Sequence, residues 1–145
     1  MNISIKLEGL DNVLGKLDKL AGGADRGLKK GLLRGGELVR AEAAANCPVD
    51  TARLRESIVV QQKSGNSVTI GPTAEYGIYV ELGTGSKGDP SVSHTTKSGW
   101  VYYNQQTGGF VYTTGQAPQP FLVPALYSQA EAVVEAVKAG LLEEI

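Results

Sequence analysis

Few residues in this chain could carry out chemistry. His94 is the single histidine, with Ser91 and Ser93 as its near hydroxyl neighbours in sequence. A nucleophilic site needs a base beside the nucleophile and a third group to orient the base. Adjacent side chains on an extended strand point to opposite faces, and no carboxylate stands three residues from His94 to hold its ring. Glu75 and Glu81 could divide acid and base roles only if burial drove their pKa values apart. Six residues on a helix put them on largely opposite faces, so each reads as a cap or surface charge, or Glu81 as the partner of an arginine such as Arg53. Gly83-Thr84-Gly85-Ser86-Lys87-Gly88 is glycine-rich but lacks the spacing and the final Lys-Ser/Thr of a phosphate loop. Cys47 is the only cysteine, which excludes an internal disulfide and a cysteine cluster for zinc and fits a small buried hydrophobe beside Pro48. No catalytic residue, metal ligand set or cofactor site is expected, and no small-molecule substrate.

Two groups of residues suit binding instead. Arg26, Lys29, Lys30, Arg34 and Arg40 put positive charge on one predicted helix. They are either a solvated face or a transient, salt-dependent contact with DNA phosphates. A pI near 5.8 is far below the value of about 9 that marks dedicated DNA-binding domains. Trp100, Tyr102, Tyr103, Phe110 and Tyr112 could stack on nucleic-acid bases, but no basic residue interleaves them. Large amphipathic rings on a hairpin are equally what a protein contact uses, and that is the expectation for these five.

The elements that must position these groups follow from periodicity. The chain has 145 residues, 41% hydrophobic and 20% charged, with a net charge of -1, as an ordinary globular domain has; one domain over 1–145 is expected. Ile3, Ile5 and Leu7 alternate as in a half-buried strand. Leu10, Val13, Leu14, Leu17 and Leu20 predict a first helix ending at Gly22-Gly23, and Asp25 is the expected N-cap of a second. Along the second helix Leu28, Leu32, Gly35, Val39 and Ala43 form one stripe, which ends near Asn46 ahead of Pro48. Its small residues, Gly35-Gly36 and Ala41, Ala43, Ala44 and Ala45, predict close approach of another element, since mid-helix glycine costs about 1 kcal/mol against alanine.

Asp50-Thr51 offers a cap for a short turn from Ala52 to Arg55 with Leu54 inward. Strands at 57–61 and 67–70 around Ser64-Gly65-Asn66 make a hairpin. A short helix is predicted from Ala74 to Leu82, stopped by Gly83. Many of the 19 glycines lie between Gly83 and Gly115, and Thr84 to Gly99 has no periodicity. A second hairpin, Trp100–Tyr103 with Phe110–Thr113, follows. Pro120 suits the first turn of a C-terminal helix buried through Leu122, Leu126, Val133, Val137 and Leu141, with Pro124 predicting a break near 121–125. The fold class is α+β: an antiparallel sheet built from hairpins, packed against a long N-terminal-half helix and a C-terminal helix. No stretch reaches the ~18 apolar residues of a membrane span, and the start carries no secretory signal, so synthesis in the cytoplasm is expected. Residues 1–63 carry eleven Lys/Arg against eight Asp/Glu, and residues 64–145 three against seven. Halves of +3 and -4 would suit a head-to-tail contact between copies.

Three segments in order carry a resemblance. Asp50, Thr51, Leu54, Arg55 and Ser57 match an Asp-Thr-Gly-x-Leu-Arg-x-Ser pattern; Tyr76, Val80, Glu81, Gly83 and Thr84 match Tyr-Ala-x-x-Val-Glu-x-Gly-Thr; Pro120, Phe121, Leu122, Pro124 and Ala125 match Pro-Phe-Leu-x-Pro-Ala. The chain thereby resembles the neck and minor tail components of long-tailed bacteriophages. Ala52 stands where glycine is usual and Gly77 where alanine is, which makes a helical backbone easier at 52. The resemblance implies a non-enzymatic virion protein at the head–tail junction, a homo-oligomer in a six-fold ring. Its implied neighbours are a head connector (adaptor or stopper) and the tail terminator or tube, with the loop and hairpin at 84–115 presented to one of them. The alternative is a DNA-contacting protein of the genome exit channel that uses the basic second helix.

Overall fold

In the computed structural model, which describes residues 1–6, 23–48, 52–91, 98–105 and 107–144, eleven elements follow in order. They are β1 (Ile3–Lys6), α1 (Ala24–Asn46), α2 (Ala52–Glu56), β2 (Ile58–Ser64), β3 (Ser67–Pro72), α3 (Gly77–Leu82), β4 (Thr84–Gly85), β5 (Trp100–Asn104), β6 (Gly109–Thr113), β7 (Gly115–Gln116) and α4 (Val123–Leu142). This is an α+β fold with the expected sheet and two long helices. The chain divides into two compact units, Met1–Ala74 with Phe121–Ile145, and Glu75–Pro120.

The first unit is a three-stranded antiparallel sheet, order β1-β3-β2, under a pair of helices. Register places Ile5 opposite Val68, and Ile3 and Val60 opposite Ile70. Directly opposed residues share a face, so these apolar side chains form the covered side of the sheet. Ser4 and Thr69 lie on the other side, their hydroxyls 3.3 Å apart. Val68 and Ile70 are fully buried, as are Leu32 and Val39 of α1, Leu54 of α2, and Phe121, Leu122 and Ala125 at the start of α4.

α1 and α4 run antiparallel along a glycine seam. A Cβ on Gly27 would lie 2.7 Å from Gly140 O, one on Gly31 2.5 Å from Val137 Cα, and one on Gly35 2.9 Å from Val133 Cγ1. Ascending positions on one helix thus meet descending positions on the other, at a separation that only the missing side chains allow. Gly36 turns instead to the sheet, where a Cβ would lie 2.8 Å from Val60 Cγ1. The close approach expected at Gly35-Gly36 is present, directed at two different elements. Of the alanines only Ala43 is buried; Ala41 and Ala45 face solvent because they lie off the stripe. At the far end Asn46 Nδ2 donates to Phe121 O at 3.3 Å.

The second unit is a short helix followed by two small ladders. β4 pairs antiparallel with β7, Thr84 opposite Gln116 and Gly85 opposite Gly115, and β5 pairs with β6. Residues 86–114 therefore leave and return through one clasp.

Several expectations are corrected. Asp25 is not the N-cap of α1: the helix begins at Ala24 with Gly23 ahead of it and no side-chain cap, and Asp25 lies in the first turn, where its charge complements the helix dipole. α3 begins at Gly77, not Ala74. Thr84-Gly85 is a strand, which the composition of the loop concealed. Pro124 starts α4 rather than breaking it, because a first-turn proline lacks only an N–H that would be orphaned anyway, and Pro120 precedes the helix. The helix predicted over Leu10 to Leu20 lies outside the described residues.

Candidate functional site

The three matched segments are chiefly scaffold. Leu54 is fully buried, and the Ser57 hydroxyl donates to Leu54 O at 2.8 Å while accepting from Ala74 N at 3.3 Å. Ser57 O accepts from Thr73 N at 2.9 Å, so one serine ties the end of α2 to the exit of β3. Arg55 is half-buried, and its Nε has no hydrogen-bond partner among the described residues. Asp50 and Thr51 lie outside the described residues.

In the second segment Tyr76 O accepts from Tyr79 N and Val80 N, starting α3. Val80 and Glu81 form its buried face with Gly77, at the i, i+3, i+4 spacing of one helical side. Glu81 is 2% exposed and so is not a surface charge; Glu75 is exposed and precedes the helix. Gly83 takes φ of +79° and Gly115 +112°, both in the left-handed range that side chains resist. A Cβ on Gly83 would meet Gln116 O at 2.5 Å. Thr84 Oγ1 accepts from Gln116 N at 3.0 Å, and Val80 O accepts from Gln119 N at 2.8 Å. Gly83 and Thr84 thus build the clasp. In the third segment Phe121, Leu122 and Ala125 are core, Pro124 opens α4, and Pro120 is exposed.

Four of the five basic residues of α1 are engaged within the chain. Arg26 Nε lies 3.3 Å from Glu144 Oε2 and Lys30 Nζ 2.5 Å from Glu144 Oε1. Arg34 grips Glu143 with both guanidinium nitrogens, at 2.7 and 3.0 Å, and Arg40 pairs with Glu37 one turn back. Hydrogen bonding to Arg34 holds the Glu143 carboxyl below the ordinary range, and hydrogen bonding to Lys30 does the same for Glu144. Lys29 lies on the exposed face of the helix. Part of the complementary charge of the two halves is met in these α1–α4 pairs, within one copy.

The aromatic residues stand out in solvent. Tyr102, Tyr103, Phe110 and Tyr112 are 43, 54, 78 and 66% exposed, while Trp100 is half-buried. Tyr103 and Phe110 meet edge to face across the strands, 5.3 Å between centroids. This cross-strand pair stiffens the hairpin.

Periodicity did not reveal a second apolar surface, an open groove of about 620 Å3 lined by Leu33, Arg34, Glu37, Leu38, Ala41 and Val60. Leucines at 33 and 38 lie five apart on the polar side of α1, off the helical stripe, which was the only signal for it. Cys47 is buried at 5% exposure, as expected. His94 lies outside the described residues. Among the described residues no group of three or more His, Cys, Asp or Glu could hold a metal ion, and no helix is long and apolar enough to cross a membrane.

Residues 11–83, half of the chain, match the family model HK97-gp10_like, described as "Bacteriophage HK97-gp10, putative tail-component". No curated protein and no solved structure matches.

Proposed function

The chain belongs to the HK97-gp10-like family of bacteriophage tail components, a structural and not an enzymatic class, and from that premise we propose that it forms a ring joining the head connector to the tail. Six copies would stand at the head–tail junction, between an adaptor or stopper and the terminator or tube. The observation that carries the proposal is the hairpin of β5 and β6: an aromatic surface, mostly exposed, held beyond a two-strand clasp. Isolated two-stranded hairpins are marginal in water, and an exposed apolar patch of this kind marks a binding surface. The basic helix supports a DNA-contacting role less well, because Arg26, Lys30, Arg34 and Arg40 already hold carboxylates.

The test uses the clasp. Gly85 and Gly115 are register partners, so residues 86–114 can be replaced by an Asn-Gly turn, which suits a two-residue hairpin. The shortened chain should unfold cooperatively but fail to dock or to restore tailed particles in a phage lacking its own copy. Loss of cooperative unfolding, or full docking without the hairpin, would overturn the proposal. Duplex DNA should bind weakly at physiological salt; micromolar affinity with a steep salt slope would favour the exit-channel role instead.

A further inference from the structure

The exposed hairpin face and the groove on α1 differ in kind. Register sets Val101 opposite Tyr112 and Tyr103 opposite Phe110, so these four share one side of the hairpin. All four are more than half exposed, from 54% to 78%. The groove is shallow and open. Leu33 and Leu38 are 43% and 40% exposed along its wall, and Val60 of β2, an edge strand of the sheet, contributes to its lining.

Charge narrows what the hairpin can meet. No residue from Ser98 to Ala130 is charged, in a chain that is 20% charged overall. An uncharged aromatic projection has no counter-charge to offer an unpaired buried charge and would strip its water at a cost. The groove meets that condition, because both of its charges are already occupied within the chain: Arg34 by Glu143 and Glu37 by Arg40. Area agrees. Three aromatic side chains of 150–250 Å2 each, half to four-fifths exposed, offer with Val101 roughly 450 Å2, more than half of the ~800 Å2 that each partner gives to a standard interface. The groove rim would supply the remainder.

We propose that the hairpin face of one copy seats in the α1–β2 groove of a second copy. The two surfaces are different, so the contact is head to tail, and an open row of copies keeps one unfilled groove at one end and one unseated hairpin at the other until the ring closes. This rests on the ring-forming role proposed above and names the contact that would make the ring.

The experiment mixes two full-length variants, Phe110→Cys and Leu38→Cys, under mild oxidation. Both positions are exposed, so both variants should fold, and the buried Cys47 should give no cross-link in the native chain. A mixed disulfide should form faster than either homodisulfide. In sedimentation equilibrium Phe110→Ser and Leu38→Glu should each weaken self-association at least tenfold, yet a mixture of the two should yield 1:1 dimers and nothing larger. Faster Phe110→Cys homodisulfides would mean a hairpin-to-hairpin contact and overturn the inference. A Leu38→Glu chain that melts as low as a core variant would mean that the groove is closed within the chain, and would also overturn it. So would a native chain that stays monomeric at every concentration. Detecting the chain in purified particles that carry both cysteines, without the mixed disulfide, would sink this contact and leave the virion role standing. Finding the disulfide in solution while particles lack the chain would do the reverse.

Discussion

Gly31→Ala separates packing from propensity. By propensity alone the change should stabilise α1 by about 1 kcal/mol, since glycine inside a helix is that much worse than alanine. The new methyl would sit 2.5 Å from Val137 Cα and 3.0 Å from Ala136 O. Both are backbone atoms, and carbon contacts are comfortable at about 3.5–4.0 Å. No rotamer change relieves the clash, so the helices must part by roughly 1 Å, which also opens the neighbouring contacts at Gly27–Gly140 and Gly35–Val133. Overpacking costs about 1–3 kcal/mol, and a backbone clash belongs at the upper end. The net expectation is a loss of about 2 kcal/mol, or a Tm lower by about 6–8 °C for a chain of this length. Thermal unfolding followed by far-ultraviolet circular dichroism measures it. Gly65→Ala is the control: it sits in the β2–β3 turn with no heavy atom within 4 Å and without a positive φ, and it should move stability by no more than about 0.5 kcal/mol. A Gly31→Ala protein as stable as the native chain, beside an unchanged control, would refute the seam as the determinant of helix spacing.

Leu32→Ala removes a fully buried side chain of α1 and should cost about 2–5 kcal/mol, read from urea unfolding midpoints. Glu143 and Glu144 have depressed pKa values in the fold, so their contribution is present above the ordinary carboxylate pKa of about 4.3 and is lost as pH falls through the lower folded values. The native chain should therefore exceed a Glu143→Gln, Glu144→Gln variant in Tm at neutral pH, with the gap closing below about pH 4 and shrinking in high salt. A gap independent of pH would remove the ion pairs from the account. Thr84→Val deletes the acceptor of the Gln116 amide and should speed hydrogen exchange there, at a cost of about 1 kcal/mol to the clasp. Unaltered exchange at Gln116 would show that backbone pairing alone closes it.

The scaffold was legible wherever one period governed a run of residues. Leu28, Leu32, Val39 and Ala43 on α1 and Val133 and Val137 on α4 were found from helical spacing, and both hairpins from alternation around turn residues. Boundaries shifted where local chemistry had two solutions. Asp25 serves a helix start equally well as a cap or inside the first turn, and Pro124 fits either a break or an opening turn. β4 and β7 were hidden because a two-residue strand has no period, and its pairing joins residues thirty apart through backbone atoms. The aromatic residues were picked out by type alone. The groove was not, since Leu33 and Leu38 are isolated apolar residues on a charged helix face, and only the nearness of Val60 makes them a surface. Nor could the sequence pair Arg34 with Glu143, which requires knowing that α4 returns antiparallel along α1.

The clasp has an evolutionary corollary. Where the chain passes from Gly85 into residues 86–114 of the second unit and returns at Gly115, the two ends lie only about 5 Å apart, as any antiparallel pair does. An insert of almost any length whose own termini meet at that spacing can be accepted there without repacking a single core side chain. A virus under pressure to fit a changed neighbour could therefore trade this cassette wholesale, and related chains should differ most in length between these two glycines.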